Sequence, residues 1–298
     1  MTRLMAVRRL GGLAGGLLAF VTAGPPARLS AQDVDQLTVR FAAMTAVSGY
    51  EQAFGDTLLR LFPGARRDRV GNVVLTLGSG APRRLAYCSL DEPGYVVGNI
   101  TDDGFLRLRR VGRIGSALFD QQMEGQRVTV FGAHGAVPAV VAVRSTHLTR
   151  GRPNPGEQPF TVDDAWVDIG ARSRAQVEAL GIEVLNPVAL TKRPHRYGAD
   201  LLAAPAAGRR AACAALAAAA LAQPAVHGTV VIGFAVQSLF GTRAGAPGAM
   251  AITAQLGPFA ETREITVQSR YPETAVETVA LPDAVAAMRD LIAWLGAQ

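Results

Sequence analysis

The spacing of apolar residues along this 298-residue chain changes several times, and each change marks an element. Between Asp33 and Phe62, Leu37, Phe41 and Met44, then Phe54, Leu58, Leu61 and Phe62, recur at helical intervals, interrupted by "SGYE" at 48–51. That pattern predicts two helices joined by a turn. The runs "VGNVVLTLGSG" and "RRLAYCSLD" follow and predict two strands around a glycine turn. From Gly94 to Gly170 short strands dominate: "GYVVGNIT", "GFLRLRRVG", "QRVTVFG", "VPAVVAV" and "AWVDIG", with "DDG" as a tight turn. "SRAQVEALG" predicts a short helix with Ser173 as cap and Gly181 as stop. After a proline-rich join, "NPVALTKRPHRYG", the alanine-rich "AAGRRAACAALAAAALAQ" predicts a buried helix. "GTVVIGFAVQSL" and "GAMAITAQL" read as apolar strands covered on both faces, and "REITVQSRY" as one more. A last helix starts at Pro282 and turns Val285, Met288, Ile292 and Leu295 inward.

Alternating helices and strands with a block of strands between them predict an α/β protein carrying a β-rich insertion. The boundaries this gives are 32–92 and 191–298 for a mixed sheet flanked by helices, and 93–190 for the inserted part.

Residues 1–31 stand apart. Arg3, Arg8 and Arg9 precede "LGGLAGGLLAFVTAG", and small residues close the segment near Ser30 and Ala31, the order of a secretory signal. The apolar run falls short of the roughly 20 residues a membrane-spanning helix needs. The expectation is a secreted or periplasmic protein with no membrane span once the signal is cleaved. Four arginines leave with that segment, which lowers the formal charge from +6 to +2. No basic cluster interleaved with aromatics remains, so nucleic acid is not indicated. Lys192 is the only lysine, in keeping with a compositional bias toward arginine and alanine.

Chemistry-bearing motifs of the common kinds are missing. No glycine-rich stretch carries the lysine and hydroxyl of a phosphate loop, and no serine sits in a G-x-S-x-G elbow. His134, His147, His195 and His227 form no i, i+4 pair. Cys88 and Cys213 read as two buried thiols, although export would permit a bridge between them.

Six motifs, in order, carry a resemblance: "SGYE" at 48–51, "DRVGN" at 68–72, "LDEPGYVVGNITDDGFLRLRRVG" from Leu90, "GQRVTVFG" from Gly125, "STHL" ending at Leu148, and "VDIGARSRAQVEALGI" from Val167. Together they resemble the di-zinc aminopeptidases of the glutamyl aminopeptidase and tetrahedral (TET) type, metallopeptidase family forty-two. The resemblance runs from about residue 36 to the last helix. It implies an α/β catalytic domain with a β-rich dimerisation domain inserted after the first metal-ligand strand, and a protein that forms homo-oligomers.

Position by position, the same resemblance implies a degenerate metal site. Ser89 stands where the family places a zinc-binding histidine, while the adjacent Asp91 and Glu92 are retained. Gly208 takes the place of the bridging aspartate in "AGRRAAC", which keeps Arg210 and Cys213. In "QSLFGTRAGA", Ser238 and Leu239 replace the general base and a zinc ligand, while Gln237, Gly241 and Arg243 persist. Gln255, or Ala254, falls where a further aspartate would follow, and Glu273 replaces the last histidine. The chain is also shorter than the family pattern between about Leu256 and Glu264. A zinc pair needs several nitrogen and carboxylate donors per ion, a bridging carboxylate and an open position for water. The expectation is therefore no catalytic residues and no cofactor, where the family would bind two zinc or cobalt ions. Ser89, Gly208, Ser238, Leu239 and Glu273 are expected to converge on one small cleft.

The function this supports is an exported, aminopeptidase-like pseudoenzyme with a binding or assembly role and a peptide or protein ligand. The alternative is an active hydrolase with a non-standard site, using Cys88, Ser89, Asp91, Glu92 and Glu273, or a single metal held by Glu273 and His195.

Overall fold

The computed structural model describes residues 30–114, 119–143, 160–241 and 247–297. The signal-like residues 1–29, His147 and Arg243 therefore lie outside the described residues. The chain opens with α1 (Ala31–Ala42). Its cap is reciprocal: Ser30 Oγ accepts from the Asp33 amide, and the Asp33 carboxylate accepts from the Ser30 amide. Then come α2 (Gln52–Leu61), β1 (Arg66–Arg67), β2 (Val73–Gly78) and β3 (Arg83–Ser89). The inserted stretch supplies β4 (Gly94–Ile100), β5 (Leu106–Val111), β6 (Arg127–Gly132), β7 (Gly135–Val141), β8 (Val167–Asp168), α3 (Arg174–Ala179) and β9 (Pro187–Leu190). The chain then returns through β10 (His195–Tyr197), β11 (Leu201–Ala203), α4 (Ala207–Leu221), β12 (Thr229–Ala235), α5 (Pro247–Leu256), β13 (Glu261–Glu264), β14 (Thr278–Ala280) and α6 (Leu281–Gly296).

The main sheet has the order β1-β2-β12-β3-β13. β12 and β13 flank β3 in parallel, and β2 runs antiparallel to β12, so the sheet is mixed. Its two faces are covered unequally. On one side the alanines of α4 let that helix lie close against α1, α6 and β3, in a core with Phe41, Phe54, Leu58, Ile232, Phe234 and Leu291. On the other, α5 sets Ala249 and Ile252 against Val74, Leu85 and Val231. A small sheet, β10-β11-β14, stands beside α4.

The insertion closes on itself as a barrel of order β4-β5-β8-β7-β6-β9. Closure gives each described strand a partner on both sides, although the two-residue β8 meets β5 only at Leu106 and Val167. Its interior holds Val97, Leu106, Leu108, Val128, Val130 and Val188, the inward residues of strands that alternate as the sequence pattern predicts. Ser173 caps α3 by accepting from the Gln176 amide, and Gly181 takes φ 72° at its end.

Four expectations are corrected. "GAMAITAQL" is the helix α5, because Ala249, Ile252 and Leu256 recur at helical spacing and present one face to the sheet. "NPVALTKRPHRYG" contains two strands: β9 closes the barrel by pairing with both β4 and β6, and β10 pairs with β11. Of "REITVQSRY" (263–271) only Arg263 and Glu264 belong to a strand, the edge strand β13 that starts at Glu261. Cys88 and Cys213 are a disulfide rather than two thiols: β3 and α4 bring their Cα atoms to 5.4 Å, across 125 residues of sequence. The bridge encloses the whole barrel in a loop long enough for chain entropy to contribute about 5 kcal/mol.

Candidate functional site

β3, β12 and β13 end side by side at Ser89, Ala235 and Glu264. Ligands of open parallel sheets bind beyond such carboxyl ends. The barrel leaves the chain just after β3 and returns just before β10, so it stands over this edge. Between the two parts lies a cleft of about 250 Å³, walled by Tyr95 and Phe119 from the barrel and by Glu92, Lys192, Arg209 and Glu277 from the α/β part. Four non-glycine residues with left-handed backbone, Ala206 (φ 59°), Gln237 (φ 56°), Tyr271 (φ 53°) and Glu273 (φ 59°), lie in or beside this region. Such conformations cost of order 1–3 kcal/mol each and persist only where their surroundings fix them.

Three knots of polar groups organise the edge. The first centres on Asp91, which is fully buried. Its carboxylate accepts from Ser48 Oγ at 2.6 Å, from the Leu239 amide at 2.9 Å and from Ser238 Oγ, and it lies 3.6 Å from Arg209. Arg209 Nη1 also donates to Ser238 Oγ at 2.7 Å. Beside this knot, Glu51 accepts from the amides of Gly49 and Gln237 at 2.9 and 2.8 Å. Burial raises its pKa despite those donors, and the charge of Asp91 adds to the rise.

The second knot is the ionic triad Arg210–Glu92–Lys192. Arg210 Nη2 sits 2.9 Å from Glu92, and Lys192 Nζ donates to the same carboxylate oxygen and, at 3.1 Å, to the Pro205 carbonyl. The Ala46 amide completes the acceptor set of Glu92 at 3.0 Å. Burial alone would raise the Glu92 carboxyl, but Lys192 and Arg210 outweigh it and hold its pKa below the usual value. Burial lowers Lys192 to about 8 against the pull of Glu92, with the Arg210 charge assisting. Arg210 is 0 % exposed, donates to the Leu90 carbonyl, lies over the Phe54 ring at 5.2 Å and leaves its Nε without a hydrogen-bond partner.

The third knot joins Gly208 to the loop before β14. Glu277, 7 % exposed, accepts from the Gly208 amide at 2.7 Å and from the Glu273 amide at 3.2 Å. A Cβ at Gly208 would stand 2.8 Å from Glu277 Oε1, so the buried carboxylate occupies the space a side chain at 208 would need.

The residues singled out from the sequence are thus dispersed among these groups. Glu92 and Glu273 line the cleft, whereas Ser89, Gly208, Ser238 and Leu239 do not. Ser89 Oγ donates to Glu264 at 3.3 Å, an acid that also accepts from Tyr87 OH. Gln255 is exposed on the solvent side of α5 and donates to Asp68 at 3.2 Å. Among the described residues, no three of His, Cys, Asp and Glu are grouped so as to hold a metal ion. Sequence reasoning missed Arg209, Glu277 and the role of Lys192. The one available signal was that the chain's single lysine falls next to "RPHRY".

This mixed α/β fold is that of the TET and M42 aminopeptidases. The chain matches the M42 glutamyl aminopeptidase family over residues 71–275 and belongs to that family. It is 36 % identical to the Escherichia coli K12 protein SgcX over 178 residues, which is 57 % of this chain and 46 % of SgcX. It is 27 % identical to the lysyl aminopeptidase of Pyrococcus furiosus over 154 residues, 50 % of this chain and 43 % of that one. The chain therefore spans about half the length of the curated relatives it matches. Among solved structures, Pyrococcus horikoshii TET1 peptidase, which can assemble into a tetrahedron or a large octahedral shell, superposes with a TM-score of 0.72 at 20 % identity, covering 89 % of this chain and 99 % of the other. A TET aminopeptidase from a marine sediment thaumarchaeon gives 0.74 at 18 %, covering 88 % and 96 %. At those identities the likeness speaks to the fold alone. No helix among the described residues is long and apolar enough to cross a membrane.

Proposed function

We propose that this chain is an exported M42-family protein that has given up di-zinc peptidase chemistry and keeps the fold for binding or assembly. The observation that carries this reading is the third knot. Where the family's bridging carboxylate would project from position 208, Glu277 has moved in from another loop and closes on the backbone amides of Gly208 and Glu273. The retained neighbours Asp91 and Glu92 are engaged within the fold, Asp91 with two hydroxyls and an amide, Glu92 with Lys192 and Arg210. Serine and leucine at 89, 238 and 239 supply no charged ligand. The donor set does not fit two zinc ions. Without a metal, a bound water keeps its bulk pKa of about 15.7 and the scissile carbonyl stays unpolarised.

Elemental analysis of the purified protein, with aminoacyl-substrate hydrolysis assayed in added zinc and cobalt, tests the reading. We expect substoichiometric metal and background turnover; two ions per chain with turnover would overturn it.

Export is supported by the order of residues 1–31 and agrees with a disulfide, which forms in oxidising compartments. An intact Met1 in the mass of protein recovered from its native host would refute it. For assembly, we propose a homo-oligomer built through the barrel, as the resemblance implies. A monomer by light scattering at micromolar concentration would count against that part alone.

A further inference from the structure

We propose that the interdomain cleft is a binding site for a small aldehyde or ketone, with Lys192 Nζ as the amine that captures it. This inference does not depend on the loss of metal chemistry. Of 30 basic residues other than histidine, Lys192 is the single lysine, so every other such cation in the chain is a guanidinium that cannot act as an amine nucleophile. It stands on the cleft wall rather than on the surface, with its side chain only 5 % exposed.

Its partners leave the amine usable. An ammonium has three donors, and the structure uses two, on Glu92 and the Pro205 carbonyl. Glu92 is shared with Arg210, so the triad holds two cations against one carboxylate in a buried place. Arginine cannot release its proton, whereas lysine can, and its release leaves a neutral Arg210–Glu92 pair. The remaining charged group acting on Lys192 is Glu277, which favours the ammonium and is outweighed by burial, in line with a pKa of about 8. A desolvated lysine beside a second cation is a recognised way of making an amine nucleophilic near neutral pH.

The cleft suits a small carbonyl compound with an apolar body. Tyr95 and Phe119, stacked with centroids 5.7 Å apart, form its apolar wall. In the reaction, the neutral amine adds to the carbonyl carbon, and the nitrogen proton passes to the former carbonyl oxygen to give a carbinolamine. Loss of water then forms the C=N bond. Nothing is oxidised or reduced; the ammonium proton leaves to water through the cleft, so that Glu92 stays ionised against Arg210.

The test uses the full mature chain and propanal, with cyanoborohydride to trap any imine, read by intact mass and peptide mapping. Besides the adduct that any chain forms at its terminal α-amine, we expect one side-chain adduct, at Lys192, forming at pH 7 at least about tenfold faster than on a lysine in an unstructured peptide, since a pKa near 8 leaves on the order of a hundredfold more neutral amine. The rate should level off above about pH 8. Lys192→Arg should abolish the side-chain adduct and leave the one at the terminal α-amine. Labelling of Lys192 in guanidinium-unfolded protein but not in folded protein would overturn the proposal, as would labelling no faster than the peptide control. Because mapping is done on the unmutated chain, the proposal stands or falls even where the arginine variant fails to fold.

Discussion

Asp91 at the sheet edge and Asp120 in the barrel are both fully buried carboxylates, and their surroundings are nearly interchangeable. Asp120 accepts from a hydroxyl, Tyr95 OH at 3.0 Å, from one amide, Val162 at 2.6 Å, and from Arg110 through a forked pair. Asp91 accepts from two hydroxyls and one amide and faces Arg209. Nothing about the barrel calls for catalysis, so Asp120 shows what a buried acid does when its task is to hold loops: it gathers donors until every lone pair is used. Asp91 occupies a position that the family resemblance links to metal chemistry, yet it is satisfied in the same way. Asp91, Glu92 and Glu277 each accept from a segment distant in sequence: Ser48, Ala46 and Gly208.

The hardest challenge to that equivalence is to remove the acid with the most to hold. Glu92→Gln would leave Arg210 and Lys192 sharing one neutral amide in a buried place. We expect a loss of about 3–5 kcal/mol in urea unfolding, with addition of zinc or chelator making no difference. A loss under about 1 kcal/mol would mean that water reaches the triad.

Next, Asp91→Asn and Asp120→Asn should each cost about 2–3 kcal/mol, because the new amide sets a donor among donors. Equal losses would bear out the shared role. If only the Asp91 variant lost a measurable hydrolysis or metal affinity, the two acids would not be equivalent.

The most gradual effect is in pH. Lys192 has a folded pKa of about 8, below its ordinary value, so between pH 8 and about 10.5 the unfolded chain binds more protons than the folded one. This group therefore adds stability as pH rises through that window, by at most about 1.4 kcal/mol per pH unit. Glu92, held below its ordinary pKa, adds stability that is present above the usual carboxylate range and is lost as pH falls through its folded value. Lys192→Met should remove the alkaline slope in denaturation curves taken from pH 7 to 10.5; an unchanged slope would place its origin elsewhere.

β5 and β6 were legible because buried and more exposed residues alternate along them, whereas β9, four residues inside a proline-rich join, was not. α5 was not, since "GAMAITAQL" is short and apolar throughout, and only the neighbouring sheet decides which period it follows. The family motifs located Ser89, Gly208, Ser238, Leu239 and Glu273 along the chain. What their neighbours do depends on contacts that no local pattern encodes. Glu277 reaches a glycine 69 residues away, and Lys192 finds its carboxylate 100 residues away. The cysteine pairing belongs to the same category, being set by where β3 and α4 cross.

The Cys88–Cys213 bridge also determines how the molecule would come apart. A protease that cuts any connection within the barrel leaves two fragments whose ends remain joined at the base of the α/β sheet, so the nicked chain still migrates as one piece until it is reduced. Both sulfurs are fully buried, and a reductant reaches them only after the sheet and α4 have opened. A nicked barrel can therefore be lost or remade locally, while the halves of the sheet that flank it stay registered to each other.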